Sequence, residues 1–310
     1  MFINTIHVFT FLFVCSLQLN GVEIEIPHKD APAGVKEITT YEHKNRGEGY
    51  PVSSLSYNRN GDIETKKLYH DNGSLKWDVH YTYGENHRLL EKSAENREGE
   101  TVWRTTYSYD EGGRVLREVQ YDKNDEPEYT KVYEYLDNRT ETLMYGPKGS
   151  LRWRRTEITH SDRSSKETYY YYPDGNRIKG IITEYDFRGK IVAETHIDEI
   201  GAVFRRIETE YDELNRVIGR KVYNHREEIH RRVWIEYLPN GQIEVVRQVL
   251  PGENREEEYL FEYNTDKRGA WIYREETLLI NPGKDREKIK RTSIESREIE
   301  YHPYRSEKTR

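Results

Sequence analysis

A phrase of aromatic and turn-forming residues returns along this chain at a fixed interval, and that regularity limits the possible folds more than any other feature. The phrase is Tyr107-Ser108-Tyr109-Asp110-Glu111-Gly112-Gly113-Arg114. The second tyrosine of each copy falls at Tyr57, Tyr83, Tyr109 and Tyr135, and again at Tyr185, Tyr211, Tyr237 and Tyr263, with every step inside each group equal to 26 residues. The interval between the groups is 50, two steps less two residues, and a degenerate copy around residues 158–162 fills it. About nine units therefore run from residue 50 to 275, the signature of an array in which each unit rests on its neighbours.

Each unit carries two turn signals. The first is seen at Asn58-Arg59-Asn60-Gly61, Asp110 to Gly113, Asp186 to Gly189 and Leu238 to Gly241; the second at Asp71 to Gly73, Asn96 to Gly99, Asp122 to Asp125 and Asp198 to Gly201. Asp and Asn hydrogen-bond their own backbone and Gly accepts positive φ, as short hairpin loops require. Gly61, Gly113, Gly189 and Gly241 are therefore expected at positive φ, with Asn215 in the same role and His87, Arg139 and Lys267 also standing where other copies have glycine. Between turns the apolar residues alternate with period two and hold their phase from unit to unit: Val203, Ile207, Thr209 and Tyr211 share one parity, Arg206, Glu208 and Glu210 the other. A one-residue slip would turn the whole apolar set to water, so register is strongly specified. No segment holds a helical period past the next turn signal. The expected fold is all-β, an antiparallel hairpin array of about nine 26-residue units and some eighteen strands, forming an extended sheet that twists or coils around its aromatic face.

Outside the repeat, residues 1–21 contain no Asp, Glu, Lys or Arg and are mostly apolar, which reads as a secretory signal peptide too short and too interrupted to be a membrane span. Cys15, the single cysteine, lies inside it; it is either one more apolar residue of the signal or, on the loose lipoprotein-like run Leu12-Phe13-Val14-Cys15, a lipidation site. Residues 22–49 are expected to form an N-terminal cap, with an edge strand at Val22 to Ile26 and a loop-like Pro- and Gly-rich remainder. Residues 276–310 are expected to form a C-terminal cap, strand-like at Ile294 to Tyr301, with a loose tail. Apolar and charged residues each make up 34% of the chain, a balance that would suggest disorder without the 26 tyrosines and 5 tryptophans that pleated sheets use. The net charge of -7, interleaved in sign, gives no basic face for a nucleic-acid partner.

The recurring Tyr-x-Tyr-Asp-x-x-Gly-Arg-Val/Leu resembles the YD, or Rhs-type, β-hairpin repeat, most closely at Tyr107 to Leu116 and Tyr211 to Ile218 and over roughly residues 50–275. A weaker similarity is to MORN-variant and choline-binding hairpin repeats. The YD resemblance implies a secreted or surface β-hairpin array, in some members a shell around a toxin. Here the units are longer than usual, and no toxin-like domain or self-cleavage segment follows residue 275.

Catalysis needs unlike groups converging at one place, whereas these polar residues recur as columns, so no enzyme, no cofactor and no metal site is expected. His225 and His230 flank a turn without a metal-ligand pattern around them. The aromatic columns are the one feature open to both structure and function. Trp77, Tyr81, Trp103, Tyr107, Tyr133 and Trp153 are either the covered face of the sheet or an aromatic surface for glycan or peptide. The functional expectation is an exported non-enzymatic scaffold or binding module at a bacterial cell envelope or surface, periplasmic, outer-surface or secreted. Its partner would be a protein or glycan, with no transmembrane span in the mature chain. The alternative is a carrier or accessory protein of an Rhs-like toxin or secretion system.

Overall fold

Alternating side chains between Gly- and Asx-marked turns produce strand after strand here, and the last strand returns to the first. The computed structural model describes residues 15–19, 22–26, 34–43, 47–253, 255–281 and 291–302. Twenty strands of these residues make one closed antiparallel barrel in which neighbours in sequence are neighbours in space. The ring closes where Val35–His43 pairs with Arg291–Tyr301, Ile38 opposite Ile299 and Glu42 opposite Glu295. The eighteen strands from Tyr50–Tyr57 to Trp271–Ile280 are those the repeat predicts.

Closure overturns the expected extended sheet. An open array of this size would present two edge strands with unpaired N–H and C=O groups, and a sheet that coils steadily can satisfy both by joining them. The joining strands come from outside the repeat. Val35–His43 lies in the stretch expected to be loop-like, and Val22–Ile26, the expected edge strand, pairs instead with Cys15–Leu19 in a separate two-stranded sheet. Arg291–Tyr301 contains the alternation seen at Ile294 to Tyr301 and is a wall strand, not a cap. Most of the expected signal peptide, residues 1–14, and the expected loose tail from residue 303 lie outside the described residues.

The turns are as the spacing predicts. Gly61, Gly113, Gly189 and Gly241 have φ of 90°, 85°, 75° and 87°, and Asn215 takes 62°. Around Gly113 the Asp110 N–H donates to the Arg114 carbonyl (2.9 Å), the Gly113 N–H donates to the Asp110 carbonyl (3.0 Å), and Asp110 Oδ1 accepts from the Arg114 N–H (2.8 Å). The two-residue deficit between the tyrosine groups belongs to one hairpin. Leu136 and Arg139 exchange backbone hydrogen bonds across only Asp137 and Asn138 (2.8 and 3.4 Å), a loop one residue shorter than that at Asp110 to Arg114, and the register shift found at Tyr109 is missing at Tyr135, which accounts for the second residue. Arg139 is thus not a glycine substitute, and neither is Lys267. The Arg255–Thr265 strand extends two residues past Tyr263, and Gly269, at φ 81°, makes the turn.

The tyrosine–aspartate phrase is a latch between successive units. Arg114 clasps its own turn through Nε to Asp110 Oδ2 (2.7 Å) and lays its guanidinium 4.4 Å from the Tyr135 ring centroid. The Tyr135 hydroxyl donates back to the Val115 carbonyl at 2.9 Å. Arg216, Asp212 and Tyr237 repeat this, with the guanidinium 4.5 Å from the ring and the hydroxyl 2.8 Å from the Val217 carbonyl. At the seam Arg268 covers Tyr301 at 3.8 Å, and the Tyr301 hydroxyl donates to the Asp266 carboxylate in place of a backbone carbonyl, so the closing strand uses a variant of the latch.

The two parities form two walls, although Val119, Ala193 and Val245 of the outward parity are also buried. Ile207, Val222, Val233, Ile235, Val246, Tyr259 and Phe261 pack into one buried inner cluster. Their sequence neighbours Arg206, Lys221, Arg247 and Glu258 point outward, where Arg206 pairs with Glu184 (2.9 Å), Lys221 with Glu210 (2.6 Å) and Arg247 with Glu258 (2.9 Å).

Candidate functional site

The inner wall carries every aromatic residue singled out from the sequence, but not in one state. Trp77 lies opposite Leu68, Tyr81 opposite Lys92, Trp103 opposite Ala94, Tyr107 opposite Glu118, and Trp153 opposite Met144. All six expected residues, Tyr133 included, are half-buried, whereas the apolar cluster of the later strands holds fully covered residues: Val233 is 1% exposed and Val246 1%. The later strands thus supply a filled apolar core, whereas the earlier ones set half-buried aromatic rings beside the buried Val79, Ala94, Thr105 and Thr142.

That lining is interleaved with charge. Lys92 sits between Trp103 and Tyr107, its ammonium 5.8 and 5.9 Å from their ring centroids, and Lys131 lies 5.1 Å from the ring of Tyr129. Glu118 gathers the next group: Oε1 accepts from Tyr129 (2.9 Å) and Lys131 (3.0 Å), and Oε2 accepts from Tyr133 (3.3 Å). Burial first, then the Glu118 charge, raises the Tyr107, Tyr129 and Tyr133 phenols above their ordinary range. Burial and the nearby Lys92 lower the Lys66 ammonium to about 8. Trp153 and Tyr170 meet at 6.4 Å with tilted rings, and Lys179 lies 5.0 Å from the Tyr170 ring.

Sequence reasoning missed the polar members of this wall, Lys66, Lys92, Glu118 and Lys131. The signal was available: each sits at the parity of the aromatic columns, where a purely apolar face would not place a charge. His225 and His230 are exposed, and no group of three or more metal-ligating side chains occurs among the described residues. Cys15 belongs to the backbone pairing with Ile26. Flat aromatic faces, ammonium and guanidinium groups and a carboxylate held by donors equip the interior for non-covalent capture of a ligand with both apolar faces and charge.

No protein-family model and no curated protein matches the chain. Among solved structures, a porin-like protein from Bacteroides uniformis is similar over 87% of this chain and 98% of its own, at 11% identity and a TM-score of 0.36. The TcdB2-TccC3 toxin component is similar over 82% of this chain and 14% of its own, at 12% identity and a TM-score of 0.30. The Photorhabdus luminescens Tc holotoxin pore is similar over 82% and 18%, at 12% identity and a TM-score of 0.29. These likenesses assign neither a family nor an activity to the chain.

Proposed function

We propose that the chain is an exported, non-enzymatic β-barrel that stands in water and serves as a binding module or scaffold at a bacterial cell envelope or surface. The observation that carries this is the distribution of chemistry across the wall. A barrel that spans a bilayer turns an apolar band outward, and an Arg or Lys at the midplane of that band costs about 2–4 kcal/mol. Here the outward parity holds Arg104 with Glu91, Arg206 with Glu184 and Glu208, and Arg247 with Glu258 in mid-strand. Trp103, Tyr107, Tyr129 and Tyr133 face inward, half-buried beside Lys92, Lys131 and Glu118, and the aromatic residues of the outward parity, Tyr121, Tyr223 and Trp234 among them, stand between these charged pairs and form no apolar band. The polar columns repeat from unit to unit, which suits an extended binding wall better than a single reacting centre.

The test is physical partitioning. The chain from Val22 onward should be purified without detergent, melt as a folded β protein in aqueous buffer, and stay at the bottom of a density gradient when mixed with phospholipid vesicles. Flotation with the vesicles, or solubility only in detergent, would overturn the water-facing reading.

A further inference from the structure

One position of the repeat changes its chemistry part-way round the barrel. The third residue of alternate nine-residue strands is Trp103, Tyr129 and Trp153 in three successive units, then Lys179, Arg205 and Arg231 in the next three. All six belong to the inner parity. Trp103 opposes Ala94, Tyr129 opposes Gln120 and Trp153 opposes Met144; Lys179 opposes Tyr170, Arg205 opposes His196 and Arg231 opposes Val222. Each lies two residues from the end of its strand and so lines one rim of the interior.

The cationic arc is dense for an enclosed wall. Arg231 is only 3% exposed, and Arg220 sits on the same inner face opposite Val233. The carboxylates whose fields reach the arc are Glu194, acting on Arg205, and Glu257 and Glu253, acting on Arg231. Burial lowers the Arg205 and Arg231 guanidinium groups from their ordinary value, and Arg205 adds to the effect on Arg231. His196, between Lys179 and Arg205, has a buried Nε2 with no hydrogen-bond partner. Burial and the charges of Arg205 and Lys179 push its pKa down, which keeps the ring neutral and leaves a ring nitrogen to serve a ligand.

We propose that this rim binds an acidic oligosaccharide, with sugar faces stacked on Trp103, Tyr129 and Trp153 and carboxylates held by Lys179 and Arg205, the buried Arg231 adding its positive field from behind. The proposal deepens the binding-module reading and rests on it for the compartment in which such a chain is met. Alternate strands stand about 9–10 Å apart, so the five side chains from Trp103 to Arg205 offer evenly spaced contacts along an extended ligand that runs around the wall. Flat aromatic faces suit pyranose rings, and guanidinium groups bind carboxylates through paired N–H donors. A peptide strand would need a free sheet edge to pair with, and the closed ring has none. Nucleic acid also needs stacking faces and cations, but with a phosphate at every nucleotide it needs a continuous basic surface, and the Arg and Lys residues of the outer wall are paired with carboxylates.

The full-length protein would be titrated at low salt with oligogalacturonate, with the methyl ester of the same oligomer, with poly-glutamate and with oligo-dT, following tryptophan fluorescence and the heat of binding. Oligogalacturonate should bind saturably and the neutral ester at least about tenfold more weakly, as loss of charge-assisted hydrogen bonds predicts. Lys179→Gln, at an exposed position, and Arg205→Gln should each weaken binding about fivefold or more, and Trp153→Ala should do the same. Arg206→Gln, on the outer wall, should leave it unchanged. Thermal melts of each variant separate lost binding from lost folding. Absence of saturable oligogalacturonate binding, equal binding of the ester, or equal binding of poly-glutamate or oligo-dT with no effect of Trp153→Ala would overturn the proposal. Those results leave the partitioning test untouched, and vesicle flotation of a chain that still binds oligogalacturonate would sink the water-facing reading alone.

Discussion

Gly189 shows how a single backbone angle carries the repeat. Its φ is 75°, and a Cβ added there would meet no atom within 4 Å, so any effect of substitution is conformational. Gly189→Val should destabilise the barrel by about 1–3 kcal/mol, whereas Gly189→Asn should cost well under about 1 kcal/mol, since Asn215 adopts 62° at the equivalent place. Urea titrations of the two variants check this, and equal midpoints would refute the assignment. The aspartates of the same turns make a second prediction. The Arg114 backbone N–H first, and then its side chain, hold the Asp110 carboxyl below its ordinary value, and the Lys190 N–H does the same for Asp186. A depressed folded-state pKa means that the unfolded chain binds more protons, so the stability from these turns is full above about pH 4 and is lost as pH falls through the folded values. Melting temperature should therefore drop steeply below about pH 4, and Asp110→Asn with Asp186→Asn should flatten that fall. These angles and caps were legible in the sequence because Asp, Asn and Gly act on their own backbone. Lys267 was misplaced because two extra strand residues after Tyr263 shift the turn to Gly269, and nothing local marks a strand as longer.

At the scale of the strand, alternation had already put the aromatic columns on the apolar parity, and the structure places that parity inside. What alternation did not convey is how far each column is covered. Tyr107 is half-buried against Lys92 and flanked by the Glu118 group, so truncation removes only part of a core contact. Tyr107→Ala should cost about 1.5–3 kcal/mol, below the 3–5 kcal/mol of a fully enclosed ring, and Tyr107→Phe should cost less than about 1 kcal/mol. Val233→Ala, in the filled half of the interior, should cost about 2–4 kcal/mol for a smaller side chain, because its surroundings are fixed on every side. Chemical denaturation of the three variants checks the order. If Tyr107→Ala proved the most damaging, the lining would be as tightly packed as the core opposite.

The whole molecule depends on one seam. Val35–His43 and Arg291–Tyr301 meet from opposite ends of the described chain, fastened by Lys36 to Glu300 (2.8 Å), Tyr41 to Glu298 (3.0 Å) and the His302 N–H to the Gly34 carbonyl (2.8 Å). Removal of residues 291–310 should leave two free edges, Trp271–Ile280 and Val35–His43, each able to pair with another copy. Size-exclusion chromatography should then show oligomers and aggregate where the parent is monodisperse, with a broader melting transition as the units uncouple. A truncated chain that stays monomeric and melts like the parent would show that the seam contributes little to the ring.

Strand count, turn positions, register and the parity of each side chain are properties of stretches of a few residues, set by the two-residue period of a strand and by backbone angles that only certain side chains accept. They could be read from the 26-residue repeat alone. The YD resemblance likewise rests on the latch of Tyr, Asp, Gly and Arg, which joins neighbouring units and is local in the same sense. Whether eighteen repeat strands end in two open edges or join through two more is decided by twist accumulated around the whole sheet and by the pairing of Ile38 with Ile299, residues whose partnership no local pattern announces. Closure is also what gives the sheet an inside. Only tertiary structure could turn the parity of Trp103, Glu118 and Arg205 into an enclosed wall, and the parity of Arg206 and Glu258 into its outer surface.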